Sequence, residues 1–193
     1  MVDKMTAVIL AGGQAKRAGG RLKTEILVEG KSIFSRMEEV LSRIFDDIII
    51  SANIPLEFPP YDKYTRVPDQ ITGKGPLGGI HSALKASGKS EAVFVFAGDM
   101  PFPDEEIIRD MISQYLVSRP DALIPQIGNF SEPLHGIYLT TLAEKIEKFL
   151  QTSDDVSVIG FLKTVHTEYF MPPDNEKARK AFTNINSLTD LFY

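Results

Sequence analysis

The chain contains no cysteine. This absence excludes disulfides, iron–sulfur clusters, thiolate zinc sites and a cysteine nucleophile. Only three histidines are present, His81, His135 and His166, which disfavours a metal site built from several imidazoles. We expect these histidines to be surface or packing residues rather than acid–base groups. Any metal should therefore be a hard cation with oxygen ligands that arrives with a substrate, and Mg²⁺ is the expected ion.

Long apolar runs and an excess of positive charge are also missing. The longest early apolar stretch, residues 6–11, is too short for a signal peptide or a membrane span. The net charge is −5, so there is no general electrostatic reason to expect nucleic-acid binding. Hydrophobic residues make up 43% of the 193 residues, enough for a core. We therefore expect one cytoplasmic domain, residues 1–193, with no nucleic-acid or membrane partner.

Short apolar runs alternate with segments of helical periodicity along most of the chain. The runs that predict buried strands are residues 7–10, 48–50, 93–96 and 122–124. Helices are predicted from Ser32, from Gly75–Pro76 and from near Pro103. This alternation predicts an α/β fold in which helices cover both faces of a mostly parallel central sheet.

The C-terminal third is less regular. Residues 134–139 predict a strand, residues 156–162 a short helix and residues 168–170 a final strand. Thr141 and Glu144 have the spacing of a capping box, which predicts a helix from there to about Leu150.

Ligands of open parallel sheets bind beyond the carboxyl ends of the strands. Polar or glycine-rich residues follow three of the predicted strands, at residues 11–23, at Asn53 and at residues 98–101. These three segments are therefore the expected binding site.

The segment from residue 11 to residue 23 contains four glycines together with the cations Lys16, Arg17 and Lys23. Glycines let backbone amides converge on an anion, and the cations add fixed positive charge. The spacing is not that of a Walker A loop. A flexible turn with solvated lysines is the alternative, but the position after the first buried strand favours triphosphate binding. Residues 73–78 match G-x-G-x-x-G, yet they follow a polar loop, so a dinucleotide-binding interpretation is weak.

The same loop resembles a known family signature. The residues Leu10, Ala11, Gly12 and Gly13, followed by Arg17, Gly19 and Lys23, resemble the L-A-G-G-x-S-x-R-M-G-x-x-K signature of the molybdenum cofactor guanylyltransferases, within the sugar-nucleotidyltransferase-like superfamily. Ala15, Ala18 and Leu22 stand where Ser, Met and Asp are common. The resemblance implies that Leu10 to Gly13 approach the nucleotide. It also implies that Arg17 and Lys23 act on its phosphates during catalysis.

Other segments resemble the family in the family's order. Residues 99–102 match D-M-P-F, residues 69–79 match a segment with G-P-L-x-G, residues 132–138 match E-P-L-x-x-x-Y, and residues 182–191 match F-x-N-[IV]-N-T-P-x-D-L except at Ser187 and Leu188. Asp99 alone could be a turn residue, but a carboxylate at a strand's end suits Mg²⁺ held jointly with phosphates. The resemblance implies that Asp99 is catalytic and the metal ligand.

The resemblance also implies the remaining site residues. Asn53 and Asp69 would lie near the base and ribose, and Gly78 near the nucleotide at the start of a helix. Asn184 and Asn186 would hydrogen-bond a pterin or its phosphate, although a short terminal helix with asparagine caps is the plainer interpretation of that segment.

The resemblance implies a three-layer Rossmann-like nucleotidyltransferase fold and Mg²⁺-dependent transfer of GMP from GTP to molybdopterin, with pyrophosphate as the second product. It also implies a monomer with transient contacts to other molybdenum cofactor proteins. One alternative is a CTP-dependent enzyme or one with another phosphorylated acceptor, although Gly12 favours guanine because cytidylyl relatives tend to carry Ala there. A catalytically weak nucleotide-binding relative is a second alternative, kept open by Ala18 and Leu22, and a Rossmann dehydrogenase is a third.

Overall fold

The computed structural model describes residues 5–12, 23–53 and 61–185 of the chain. The strands are β1 (Met5–Leu10), β2 (Leu27–Val28), β3 (Lys31–Ser32), β4 (Ile48–Ser51), β5 (Thr65–Val67), β6 (Ala92–Ala97), β7 (Ala122–Ile127), β8 (Phe130–Ser131), β9 (His135–Leu139) and β10 (Thr167–Phe170). The α-helices are α1 (Ile33–Leu41), α2 (Gly75–Ala86), α3 (Glu105–Ser118), α4 (Leu142–Thr152), α5 (Val158–Leu162) and α6 (Glu176–Ala181). All four buried strands expected from the apolar runs are present.

The central sheet has the strand order β10-β7-β9-β6-β1-β4-β5, and β8 pairs with β7 beside it. The pairs β1–β4, β1–β6, β4–β5 and β7–β10 are parallel. Strand β9 is antiparallel to both of its neighbours, β6 and β7. The sheet is therefore mostly parallel, as predicted, and the carboxyl ends of β1, β4 and β6 meet at one edge.

Alternating side chains of the central strands pack on opposite faces of the sheet. On β1, Ala7 and Ile9 belong to one buried cluster and Val8 to the other, since successive strand residues point to opposite sides. Helices α1, α3 and α6 pack in the first cluster, and α2, α4 and α5 pack in the second. This arrangement confirms the three-layer α/β architecture.

Polar side chains set where two of the helices begin. The Ser32 hydroxyl accepts a hydrogen bond from the Ser35 amide at the start of α1, and the Asp104 carboxylate accepts one from the Ile107 amide at the start of α3. These caps place α3 directly after the loop that carries Asp99.

Three expectations about local structure were wrong. The capping box at Thr141 does not form, because Thr141 already has helical backbone angles (φ −63°, ψ −12°) and its side chain makes no cap hydrogen bond; a capping residue needs an extended backbone. The helical spacing of apolar residues from Ser32 onward includes Ile44 and predicts a longer helix, but α1 ends at Leu41, and Ile44 is fully buried beyond its end. Strand β5 was not predicted, because this edge strand has only Val67 buried and shows no apolar run.

Candidate active site

A cavity of about 460 Å³ opens where β1, β4 and β6 end. Its lining includes residues of all three segments that follow predicted strands, residues 11–23, Asn53 and residues 98–101. The lining residues are Leu10, Ala11, Gly12, Lys23, Ser51, Asn53, Asp69, Gly73, Gly75, Pro76, Gly79, Ala97, Gly98, Asp99 and Leu134. The cavity therefore lies at the carboxyl edge of the sheet, where the topology predicts a ligand.

The floor of the cavity is formed by the ends of three neighbouring strands. The Ala11 amide donates to the Ser51 carbonyl at 2.8 Å, and the Gly98 amide donates to the Leu10 carbonyl at 3.1 Å. A methyl group on Gly98 would lie 2.7 Å from that same Leu10 carbonyl oxygen and 2.8 Å from the Thr24 methyl carbon. Gly98 is therefore required for this close approach of β1 and β6.

An ion pair stands on one side of the cavity. The Lys23 Nζ atom donates to Asp99 Oδ2 at 2.7 Å, and the two side chains are 24% and 18% exposed. Thr24, the residue after Lys23, is buried, and its hydroxyl accepts a hydrogen bond from the Tyr61 hydroxyl at 3.1 Å, which fixes the position of this part of the chain. A cation and a carboxylate are thus presented together at the end of β6, where either can meet a ligand.

A second polar pair closes the opposite side. The Asn53 Nδ2 group donates to Asp69 Oδ2 at 2.8 Å, and the Asp69 amide donates to Asn53 Oδ1 at 2.7 Å. The next amide, that of Gln70, donates to the Ser82 hydroxyl on α2 at 2.7 Å. These bonds fix both side chains relative to β4 and α2, so a ligand would meet a rigid polar wall.

The start of α2 forms a third part of the lining. Gly73 and Gly75 have positive φ angles of 74° and 56°, which side chains rarely adopt, and Pro76 occupies the first turn. Among the residues that the structure describes, no side chain caps this turn, and the turn itself contains no acidic residue. Pro76 has no amide hydrogen, and the Gly78 amide donates to the Lys74 carbonyl at 3.4 Å, so the amides that this turn can offer to an anionic group are those of Gly75 and Leu77.

Leu134 brings the segment between β8 and β9 to the cavity. Behind it lies Glu132, which is only 7% exposed and whose Oε1 atom accepts the Leu134 amide at 3.1 Å. Burial holds the pKa of the Glu132 carboxyl above its ordinary value. Hydrogen bonds from the Leu134 amide and the Asn184 side chain oppose this rise, and the charge of Asp99 adds to it. This carboxyl group thus links Asn184 to the cavity wall.

The cavity brings together seven of the residues predicted from the sequence, which are Leu10, Ala11, Gly12, Lys23, Asn53, Asp69 and Asp99. Gly78 lies behind the lining, where a methyl group would sit 2.9 Å from the Ile71 carbonyl oxygen. Asn184 is connected to the lining through Glu132. Gly13, Arg17 and Asn186 lie outside the described residues.

Sequence reasoning missed several lining residues, notably Ser51, Gly79 and Leu134, whereas Gly98 belongs to an expected segment. Ser51 could have been found from its position, since it directly follows the predicted strand at residues 48–50. Leu134 could not, because an apolar residue in a loop carries no signal of its own.

The donor set suits a hard cation that brings most of its own ligands. Within residues 5–12, 23–53 and 61–185, no group of three or more His, Cys, Asp or Glu side chains could hold a metal. Two carboxylates line the cavity, Asp69 in its pair with Asn53 and Asp99 in its pair with Lys23. One carboxylate supplemented by phosphate oxygens and water is a common way to hold Mg²⁺, so the residues present fit that ion.

None of the described helices has the length and apolar character needed to cross a membrane.

The fold matches that of a crystal structure of molybdopterin-guanine dinucleotide biosynthesis protein A from Archaeoglobus fulgidus, with a TM-score of 0.81, 26% identity, and coverage of 97% of this chain and 95% of that one. The architecture is therefore that of a nucleotidyltransferase. The sequence profile of the MobA-like NTP transferase domain matches residues 7–166. The chain belongs to this family.

Two relatives are similar over almost the whole chain. A probable molybdenum cofactor guanylyltransferase from Peptoclostridium acidaminophilum is 34% identical, with coverage of 96% of this chain and 86% of that protein. A molybdenum cofactor guanylyltransferase from Syntrophotalea carbinolica is 35% identical, with coverage of 96% and 88%. The similarity to both relatives thus extends over nearly all of this chain.

Proposed function

We propose that this protein is a molybdenum cofactor guanylyltransferase that transfers GMP from GTP to molybdopterin and releases pyrophosphate. The observation that carries the proposal is one cavity that combines Lys23, Asp99, the Asn53–Asp69 pair and the open start of α2. The names of relatives that align over nearly the whole chain supply the substrates. A cytoplasmic location belongs to the same proposal.

The reaction requires little covalent help from the protein. A terminal phosphate oxygen of the acceptor attacks the α-phosphorus of GTP, and the bond from that phosphorus to the oxygen bridging to the β-phosphorus breaks. Pyrophosphate leaves with the bond electrons. Because the attacking phosphate is already anionic, no general base is needed. Positioning and charge neutralisation supply the rate enhancement.

Each wall of the cavity has a role in this proposal. Lys23 bonds to the phosphates of the donor, and the α2 start offers amides to anionic or ribose oxygens. The Asn53–Asp69 pair orients the nucleoside, since its geometry is fixed by two mutual hydrogen bonds. Arg17, outside the described residues, is proposed as a second cation for the phosphates.

Asp99 is the residue that would hold Mg²⁺, and the bound ion would neutralise charge on the phosphates. In the free protein Asp99 bonds to Lys23. Lys23 can exchange this partner for a phosphate oxygen when nucleotide binds, which leaves the Asp99 carboxylate for the metal. The ion pair therefore keeps both groups oriented at the cavity before the substrates arrive.

A nucleotide-resolved pyrophosphate-release assay tests the proposal. Purified protein is mixed with Mg²⁺, molybdopterin and GTP, CTP, ATP or UTP in turn, and thermal melting with each nucleotide reports binding, since a ligand raises apparent stability. We expect release and the largest melting shift with GTP. A preference for CTP would replace the guanylyl assignment by a cytidylyl one. Binding of GTP without release would indicate a nucleotide-binding relative that lacks activity.

A further inference from the structure

The turn between β8 and β9 is held from several sides. The Glu132 amide donates to the Pro125 carbonyl on β7 at 3.0 Å, and the Tyr138 hydroxyl on β9 donates to the Pro133 carbonyl at 2.7 Å. The Glu132 carboxylate accepts the Leu134 amide. These hydrogen bonds fix the conformation of the turn, so the buried carboxyl group of Glu132 has little freedom to reorient.

The segment after α6 reaches the same place from the other end of the chain. The Ile185 amide donates to the Asp99 carbonyl at 2.8 Å, and Ile185 is buried. Asn184, one residue earlier, is exposed, and its side chain hydrogen-bonds the Glu132 carboxyl group. The segment is thus attached at two neighbouring points, one of which carries Asp99.

A buried carboxyl group needs a reason to be tolerated. Burial without compensation is costly, and a hydrophobic residue would fill the same space without that cost. Glu132 is compensated by the Leu134 amide and the Asn184 side chain. Because Asn184 is exposed, this bond does little to bury apolar surface, so its effect is to restrict the direction of the amide.

We propose that Glu132 is a positioning residue that orients Asn184, and through it the segment after α6, behind the part of the cavity wall formed by Leu134. The inference rests on the proposed function for what the oriented amide serves, which is hydrogen bonding to the phosphorylated acceptor. Glu132 does not contact the reacting atoms. It acts through Asn184, while the bond from Ile185 to Asp99 keeps the segment in register with the proposed metal ligand.

Amide hydrogen exchange on the free, full-length protein tests the positioning step without any substrate. Peptides that include Ile185 should exchange faster in Glu132→Ala than in the wild type, because one of the two attachments of the segment is lost. Glu132→Gln should stay close to the wild type, since its side chain still offers an oxygen and an amide group. Unchanged exchange in a folded Glu132→Ala protein would overturn the inference whatever the activity.

Steady-state kinetics with molybdopterin and GTP test what the orientation serves. We expect Glu132→Ala to raise the KM for molybdopterin by about tenfold, as for loss of a hydrogen bond to a charged group. The KM for GTP should not change. In Glu132→Gln the KM for molybdopterin should return most of the way to the wild-type value. In an Asn184→Ala background the Glu132→Ala change should add nothing, because both act through one amide. Additive effects, or an equal rise in the KM for GTP, would contradict the inference.

One control variant and one outcome of the wild-type assay separate this inference from the proposed function. Glu144→Gln removes an exposed glutamate on α4 and should change neither exchange at Ile185 nor the KM for molybdopterin. A wild type that binds GTP but releases no pyrophosphate with molybdopterin refutes the proposed function. In that case the exchange experiment still decides whether Glu132 orients the segment.

Discussion

Under the proposed function, Asp99 and Lys23 would serve two states of the enzyme, the free protein and its complex with substrate. Their 2.7 Å ion pair is mostly shielded from solvent, so each side chain has a defined direction before any ligand binds. Both line the cavity. In the proposed mechanism a nucleotide and a metal ion would replace the two partners, and part of the cost of ordering both side chains would already be met in the free protein.

Asp99→Asn should lower pyrophosphate release to below about one hundredth of the wild-type rate, the scale of loss seen when a preorganised charge-stabilising group is removed. The asparagine has the same shape, but it lacks the negative charge that holds a divalent cation. Circular dichroism should remain that of the wild type. Asp110→Asn, which changes an exposed aspartate on α3, is the matched control and should be fully active. Near-normal turnover of Asp99→Asn would remove this carboxylate from the mechanism.

At the scale of elements, two glycines let helix α2 pack closely against its neighbours, Gly79 against the sheet and Gly78 against the loop before the helix. A methyl group on Gly79 would sit 3.0 Å from the Ser51 hydroxyl oxygen and 3.3 Å from a Leu10 methyl carbon. A methyl group on Gly78 would sit 2.9 Å from the Ile71 carbonyl oxygen. The first contact is with side chains that can be changed, whereas the second is with the backbone. The two positions therefore separate crowding against the sheet from crowding against the loop before the helix.

Gly79→Ala should destabilise the protein by about 1 kcal/mol, because overpacking outweighs the better helix propensity of alanine. In a Ser51→Ala background the same change should become neutral or stabilising, since the hydroxyl that the new methyl group meets is gone. Gly78→Ala is the control, because removal of the Ser51 hydroxyl cannot relieve its contact with the Ile71 backbone. Urea denaturation of the single and double variants gives the coupling. Equal costs of Gly79→Ala in both backgrounds would show that Ser51 does not limit the approach of α2.

The elements that sequence predicted best are those whose pattern is set by burial alone. The run Ile48 to Ile50 and the run Val93 to Phe96 are apolar because both faces of these parallel strands are covered. The edge strand β5 and the two-residue strands β2 and β3 are short and largely exposed, so nothing in their composition distinguishes them from loops. The capping box at Thr141 failed because the backbone had entered the helical region one residue earlier than the pattern implied.

The candidate site divides in the same way. Residues directly after predicted strands, such as Asn53 and Asp99, could be placed because sheet topology brings strand ends together. Glu132 and Asn184 are remote in sequence, and only the folded chain shows that their side chains bond to each other. Their link depends on the antiparallel path of β9 and on the return of the segment after α6, neither of which has a local signal.

At the scale of the whole molecule, β9 joins the two parts of the sheet, because it pairs with β6 on one side and with β7 on the other. Its first residue, His135, is 2% exposed. The rings of Phe94, Phe96 and Phe182 surround the imidazole at centroid distances of 5.4, 5.0 and 5.0 Å. Neither ring nitrogen has a hydrogen-bond partner among the described residues. Burial among these rings lowers the pKa of His135 to about 3.

This histidine should make the fold sensitive to acid. The pKa of His135 is lower in the folded chain than the ordinary value of about 6.5, so protons bind preferentially to the unfolded chain. The contribution of the neutral His135 side chain to the free energy of unfolding is therefore fully present above about pH 6.5, and it is lost progressively as the pH falls towards 3. His135→Leu replaces the imidazole by an apolar side chain of similar size. Between pH 7 and pH 5, the free energy of unfolding of this variant should fall by about 2 kcal/mol less than that of the wild type. Urea denaturation at the two pH values measures the difference, and His166→Gln, at an exposed histidine, should keep the wild-type slope. If wild type and His135→Leu lost the same free energy of unfolding, protonation of this buried ring would not govern acid stability.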